Sequence, residues 1–372
     1  MELILFIIFL LIVGFLIYRD RKNIKLEGIL IIRRTKKGKK FIEATAKKHP
    51  KLWNIVATIG IIISVPVMLI GCIYLIYNAF FIIQGVSEQG VSLVLPGPVS
   101  SIEAHPGILV MPWWLWVFGV ATVVIPHEFF HGIIARTEKI RIKSLGWLLL
   151  LFLPGAFCEP DENQLKKSKP KTKMKVYAAG SSANLIIALF VLITSFLLLF
   201  TFYQPSGLVY RGVINGYPSY EANLTGVIKS INDMPINSVE DLTNVLTKIE
   251  PNTKIQIETT DGIFNLTTVK RPDGNTSFIG IAGPYQTYYE PKIIDMTSQL
   301  NFIMFLLTWV FILNLGIGMI NLLPVKPFDG GFIFETILRK FMKKKTTEMI
   351  VKIVSLIVAG VLVFNIIGPY IV

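Results

Sequence analysis

Three ionisable side chains within five residues define the chemistry open to this chain: His127, Glu128 and His131, in the stretch Ile125-Pro126-His127-Glu128-Phe129-Phe130-His131-Gly132. On an α-helix, residues four apart share a face, so both imidazoles can reach one metal ion while Glu128, one position round, faces the water beside it. This is the pattern of a zinc hydrolase, with the carboxylate as general base. The competing reading, a pair of packed or surface histidines, fits poorly with the location. The stretch closes the apolar run 109–125, which carries Trp113, Trp114 and Trp116. Ionisable groups inside a membrane-length segment are costly unless they are paired or functional.

The elements that must position these groups are membrane elements. Of the 372 residues, 52% are hydrophobic, and the mean hydropathy of +0.59 describes a multi-spanning membrane protein, not a soluble one. The net charge of +13 does not point to nucleic acid, because the basic residues cluster in short stretches between apolar runs. That is the positive-inside pattern. Cys72 and Cys158 stand at no metal-ligand or disulfide spacing and read as packed residues. The first apolar run, 3–18, has no basic region before it and no small-residue cleavage site, so it is expected to be a retained span.

Taken in order, residues 19–51 hold thirteen Lys or Arg against Asp20, Glu27 and Glu43 and are expected on the cytoplasmic side. Within them, 26–34 and 41–48 are expected to contact solvent or lipid headgroups, with short interfacial structure as the alternative. A long apolar run, 52–83, contains Pro66; a loop, 84–107, without Lys or Arg follows and is expected outside. The span bearing His127 then returns inward to Arg136, Lys139, Arg141 and Lys143. The stretch 145–157 is too short to span comfortably, and Pro154-Gly155 breaks it, so a re-entrant segment with extended backbone is predicted. Extended backbone beside a metal site can pair with a substrate strand. Residues 176–203 form an outward span that opens with Gly180-Ser181-Ser182-Ala183-Asn184.

Residues 204–295 change character. Polar and β-branched residues alternate, with turn signals at Asn215-Gly216, Asp261-Gly262 and Asp273-Gly274 and one helical stretch at 239–249. Seven Lys or Arg against ten Asp or Glu reverse the bias of the other polar segments, which places this α+β domain outside the membrane. Sequons at Asn223, Asn265 and Asn275 agree with that side. The last membrane region, 296–372, returns inward to Asn321-Leu322-Leu323-Pro324 and Phe328-Asp329-Gly330-Gly331, passes a basic stretch at 339–345 and ends in a final span.

A catalytic zinc takes three protein ligands and leaves a position for water. His49 and His105 are poorly placed, and a carboxylate at the cytoplasmic end of another span is the better third ligand; Asp329 meets that description. An N-cap for the helix after it is an equally good local reading of Asp329. Asn184, polar within a span, could face the metal cleft and hydrogen-bond a developing oxyanion or the substrate backbone.

Together these motifs resemble the site-2 protease family of intramembrane zinc metalloproteases over residues 109–338. His127-Glu128-x-x-His131 resembles its metal helix, Asn321-x-x-Pro324-x-x-x-x-Asp329-Gly330 the segment carrying its third ligand, and Gly180-x-x-x-Asn184 a further span. Pro154-Gly155-Ala156-Phe157 is similar to its membrane strand, which implies substrate contact at Gly155, Ala156 and Phe157. Phe328 stands where the family has leucine, and Ser181 where proline is common. The 204–295 insert, with Gly207-Leu208-Val209 and Val227-Ile228, resembles a PDZ domain, although Asn223 stands where glycine is usual.

The resemblance implies about six transmembrane helices with a re-entrant membrane strand, divided into regions 1–203, 204–295 and 296–372. It implies one Zn2+ on His127, His131 and Asp329, with Glu128 as base. The expected partners are transmembrane protein substrates and the lipid bilayer, with no nucleic acid, and the oligomeric state stays open. The expected setting is a prokaryotic cell membrane, crossed several times, with the active site near its cytoplasmic side and the PDZ-like domain outside. A catalytically silent scaffold that binds peptides through the PDZ-like domain is the alternative, and it leaves Glu128 without a purpose. A metal transporter would need ionisable residues strung along several spans, and the sequence has almost none beyond this cluster.

Overall fold

Apolar residues run through α1 (Glu2–Asp20) up to Arg19 and Asp20, where the chain enters a hairpin of β1 (Ile24–Glu27) and β2 (Leu30–Thr35). The fold is that of a computed structural model describing residues 2–28, 30–85, 91–150, 153–272, 274–283 and 285–371, so Asp273 of the expected Asp273-Gly274 turn lies outside the described residues. The chain forms two compact units, Met1–Leu192 with Leu306–Val372, and Ile193–Phe305. Among the described residues, six helical segments are long and apolar enough to cross a membrane, so the chain is a polytopic membrane protein with a sheet-containing portion.

After β2 come α2 (Lys39–Lys48) and the long α3 (Pro50–Ile83), with Pro50 in its first turn, where a missing N–H costs nothing. Strands β3 (Leu93–Gly97), β4 (Glu103–His105) and β5 (Ile108–Pro112) form a small sheet of order β3-β5-β4 where the sequence shows only a loop. Next are α4 (Trp113–Thr137), β6 (Ile142–Leu150), β7 (Leu153–Pro160), α5 (Glu162–Lys167) and α6 (Pro170–Phe202). The Asp161 side chain accepts the N–H groups of Asn163 and Gln164 and so fixes the start of α5.

Within the expected re-entrant segment β6 and β7 pair antiparallel, while Leu151 and Phe152 between them lie outside the described residues. The pair joins the first hairpin in an antiparallel sheet of order β1-β2-β6-β7, with Leu30 opposite Leu150 and Thr35 opposite Leu145. The stretches 26–34 and 41–48 thus hold short elements, with Leu26 and Phe41 exposed and Ile32, Ile42 and Ala46 buried. Paired to β6, the residues of β2 complete the sheet, a long-range partner that the basic segment around them does not reveal. Helix α2 places Ile42 and Ala46, one turn apart, in a cluster with Ile133, Ile142, Leu145 and Cys158. A Cβ on Gly132 would come within 2.9 Å of the Ile42 Cδ1, so α2 and α4 approach closely here and a larger residue would require Ile42 to shift.

The second unit is built on strict alternation. It contains β8 (Tyr203–Val209), β9 (Gly212–Val213), α7 (Pro218–Glu221), β10 (Ile228–Ile231), β11 (Met234–Pro235), α8 (Val239–Lys248), β12 (Lys254–Thr259) and β13 (Gly262–Thr267). It continues with β14 (Val269–Lys270), β15 (Ser277–Phe278), β16 (Ile281–Ala282) and β17 (Gln286–Pro291). The main sheet runs β13-β12-β10-β8-β17, with β11 on β10. In β12, Ile255, Ile257 and Thr259 point inward and Lys254, Gln256 and Glu258 outward. Ser238 caps α8 by accepting the Asp241 N–H, and Leu242, Val245 and Leu246 pack with Ile228, Ile231 and Ile257 in one core.

The chain returns through α9 (Thr297–Asn321), α10 (Asp329–Leu338) and α11 (Lys344–Ile367). Within the membrane unit, a buried pair ties α11 to α3: Asn78 donates to the Asn365 side chain at 2.8 Å, and Asn365 donates to the Leu75 carbonyl at 3.0 Å. Each amide is satisfied, as burial in an apolar span requires.

Candidate active site

Helix α4 carries His127, Glu128 and His131 toward α6 and the start of α10. Pro126, inside α4, removes one helical N–H immediately before the first histidine. Nε2 of His127 and Nε2 of His131 stand 3.2 Å apart. Oδ2 of Asp329 lies 3.3 Å from each of them. Ligand atoms about 2.0 Å from a tetrahedral centre are about 3.3 Å apart, so this triangle has the span of three ligands around one zinc-sized ion with a fourth position left open.

The two readings of Asp329 are separable here. Phe328, in extended conformation, occupies the N-cap position of α10, and Asp329 is the first helical residue. Its carboxylate is turned to the histidines. A Cβ on Gly331 would come within 2.7 Å of the backbone at Val325 and Lys326, and one on Gly330 would overlap the carbonyls of Leu322 and Leu323. The two glycines therefore let the start of α10 lie directly against the preceding loop, which sets where Asp329 points. Ser181 on α6 donates to Oδ2 of Asp329 at 3.4 Å.

Outer partners fix both rings. Nδ1 of His131 is 2.7 Å from the Val176 carbonyl, to which only an N–H can be bonded, so the proton sits on Nδ1 and the Nε2 lone pair is left for a ligand. Nδ1 of His127 is 3.3 Å from the Asn184 amide nitrogen, while Oδ1 of Asn184, fully buried, has no partner. With the two ends of this amide exchanged, Oδ1 accepts the His127 Nδ1–H and Nε2 of His127 is freed as a ligand, and the amide NH2 takes the buried position that has no partner. Asn184 thus touches the metal helix and does not line the cavity. Replacing Asn184 by Leu is expected to lower zinc affinity about tenfold to a hundredfold, the range for losing such a partner. Asn184→Asp, which keeps an acceptor, should hold the metal. Zinc competition titration measures both, and unchanged affinity with slowed turnover would return Asn184 to an oxyanion role.

A cavity of about 390 Å³ opens on this cluster, lined by Glu128, Gly155, Ala156, Cys158, Tyr177 and Asn321 among others. Gly155 and Ala156, two of the residues expected to contact substrate, are in this lining. Phe157 does not line it; its ring lies toward Gly146 and 5.9 Å from the Arg34 guanidinium. Oε2 of Glu128 accepts the backbone N–H of Cys158 at 2.7 Å. The groups sequence reasoning missed are this N–H and the Val176 carbonyl, which carry no side-chain signal, and Ser181, whose position in the small-residue run was the available clue.

Fold and site together define a polytopic membrane protein with a His-His-Asp cluster able to hold one metal ion. The model for peptidase family M50 matches residues 115–364, and the chain belongs to that family. It is a membrane metalloprotease of the site-2 type. The chain is also similar to an uncharacterized protein of Methanocaldococcus jannaschii, 30% identical over 353 residues, covering 92% of this chain and 87% of the relative.

Proposed function

We propose that this protein is a zinc endopeptidase that hydrolyses peptide bonds within the transmembrane segments of membrane-anchored proteins. The observation that carries the reading is the triangle of His127, His131 and Asp329 beside Glu128, facing one cavity in the membrane unit. A zinc ion held by these three residues would polarise the scissile carbonyl and make water acidic enough to be deprotonated near neutral pH. Glu128 takes the proton from the attacking water and returns it to the leaving amine. The open edge of β7, at Gly155 and Ala156, receives the unwound substrate as an added strand. Strand pairing supplies backbone partners that an extended peptide cannot find in lipid.

The basic stretches at 19–51, 136–143 and 339–345 support an active site near the cytoplasmic face, and the acidic balance of 204–295 supports a PDZ-like domain outside. In that domain a groove of about 110 Å³ between α8 and β15, lined by Leu242, Leu246 and Phe278, supports substrate docking.

The test is cleavage of single-span reporter proteins by purified protein in detergent. Cuts within the span are expected, and they should vanish with a chelator, return with added zinc, and be absent in Asp329→Ala. Cleavage that persists in Asp329→Ala would remove Asp329 from the site. Absence of any cleavage by zinc-loaded native protein, with peptide binding retained, would favour a scaffold.

A further inference from the structure

Glu128 is held by something other than its own helix. Its Oε2 accepts the backbone N–H of Cys158 at 2.7 Å. Cys158 belongs to β7, the edge strand of the sheet β1-β2-β6-β7, and stands opposite Leu145 of β6. With its N–H given to Glu128, Cys158 directs its backbone donor off the free edge, away from β6 and into the cavity that Glu128 also lines.

The strand cannot drift. The Cys158 side chain packs with Ile42, Ile133, Ile142 and Leu145, and a Cβ on Gly132 of α4 would come within 3.0 Å of its sulfur. On the next residue, Glu159 accepts from the Ser144 hydroxyl at 2.5 Å and lies 3.8 Å from Arg34. A side chain with three rotatable bonds would otherwise sample several rotamers beside the metal ligands, so a rigid donor at this point selects one.

We propose that the backbone N–H of Cys158 is the positioning group for the Glu128 carboxylate, so that the membrane strand which offers its edge to the substrate also aims the base. The inference rests on the peptidase reading for its catalytic meaning. The bond itself can be measured without turnover.

Two measurements test it. In the first, position 158 is filled with lactic acid by nonsense suppression, which replaces the amide N–H by an ester oxygen, and the comparison is Cys158→Ala, which keeps the N–H. Cys158→Ala shares its side chain with the ester and keeps the N–H, so its rate on a span reporter is the reference against which the ester is read. The ester should lose about tenfold to a hundredfold in kcat, with KM and zinc content unchanged. Equal kcat for ester and alanine would overturn the proposal, as would a loss confined to KM.

The second measurement is hydrogen exchange of the 153–160 fragment. Glu128→Gln keeps a side-chain oxygen as acceptor and Glu128→Ala does not. One amide in this fragment should exchange faster in Glu128→Ala than in the native protein, and not in Glu128→Gln. Identical exchange in all three proteins overturns the bond whatever the enzyme does. A protein that cleaves nothing yet shows the exchange difference fails as a peptidase and keeps the contact.

Discussion

Replacing Glu128 by Gln is expected to lower the rate of cleavage by at least about a hundredfold and by up to about ten-thousandfold, with the metal still bound. That range is what a positioned general base contributes. The amide is isosteric with the carboxylate, and its oxygen can still accept the Cys158 N–H that meets Glu128 at 2.7 Å. The amide cannot, however, take a proton from water at neutral pH. Single-turnover cleavage of a reporter, with metal content measured on the same sample, separates the two effects. If zinc stays and the chemical step slows by this factor, Glu128 is the base. If turnover survives at more than a tenth of the native rate, the proton goes elsewhere, and the second-best group lining the cavity has to be sought. Loss of metal would instead mean that the outer contacts of α4 depend on this carboxylate more than the geometry implies, because His127, His131 and Asp329 meet each other without it.

How much of this was legible in the sequence depends on the range of each interaction. His127 and His131 were readable because a helix turns their four-residue spacing into a shared face, whatever the rest of the fold does. Asp329 was readable only as one of two local choices. Whether an aspartate at a helix start caps the helix or leaves it depends on where the backbone of the preceding loop lies, and here Gly330 and Gly331 let that loop close in until Phe328 takes the cap position. The re-entrant segment was expected from its length and from Pro154-Gly155, but its sheet partners were not. β2 sits in a strongly basic segment, and nothing local says that Leu30 to Thr35 will pair with a strand more than a hundred residues later. Phe157 differs from its neighbours in where its ring lies. In a strand, neighbours point to opposite faces, so Ala156 and Cys158 reach the cavity while Phe157 turns to Gly146.

Gly180→Ala is expected to remove metal from the protein and with it all cleavage. A Cβ built on Gly180 would overlap Nε2 of His127 and Nε2 of His131, the two atoms that must share an ion. The overlap is with rings whose other nitrogens are engaged, by the Val176 carbonyl and by Asn184, so neither can turn aside without breaking an outer bond. Helix α6 cannot step back either, since Ala178, Ala179, Ser181, Ala183 and Asn184 around this point are buried against other elements. The run of small residues is therefore more than a surface for close helix approach: Gly180 leaves open the volume in which the ligands converge. Gly316→Ala in α9 is the control, because a Cβ there meets nothing within 4 Å; it should keep metal and activity, with helix stability changed by no more than about 1 kcal/mol. Zinc content and thermal unfolding are measured on both variants. A Gly180→Ala protein that unfolds near the native temperature but carries no zinc locates the effect at the ligands. One that retains a full equivalent of zinc would show that the metal does not sit between these nitrogens, and the site built here would have to be abandoned.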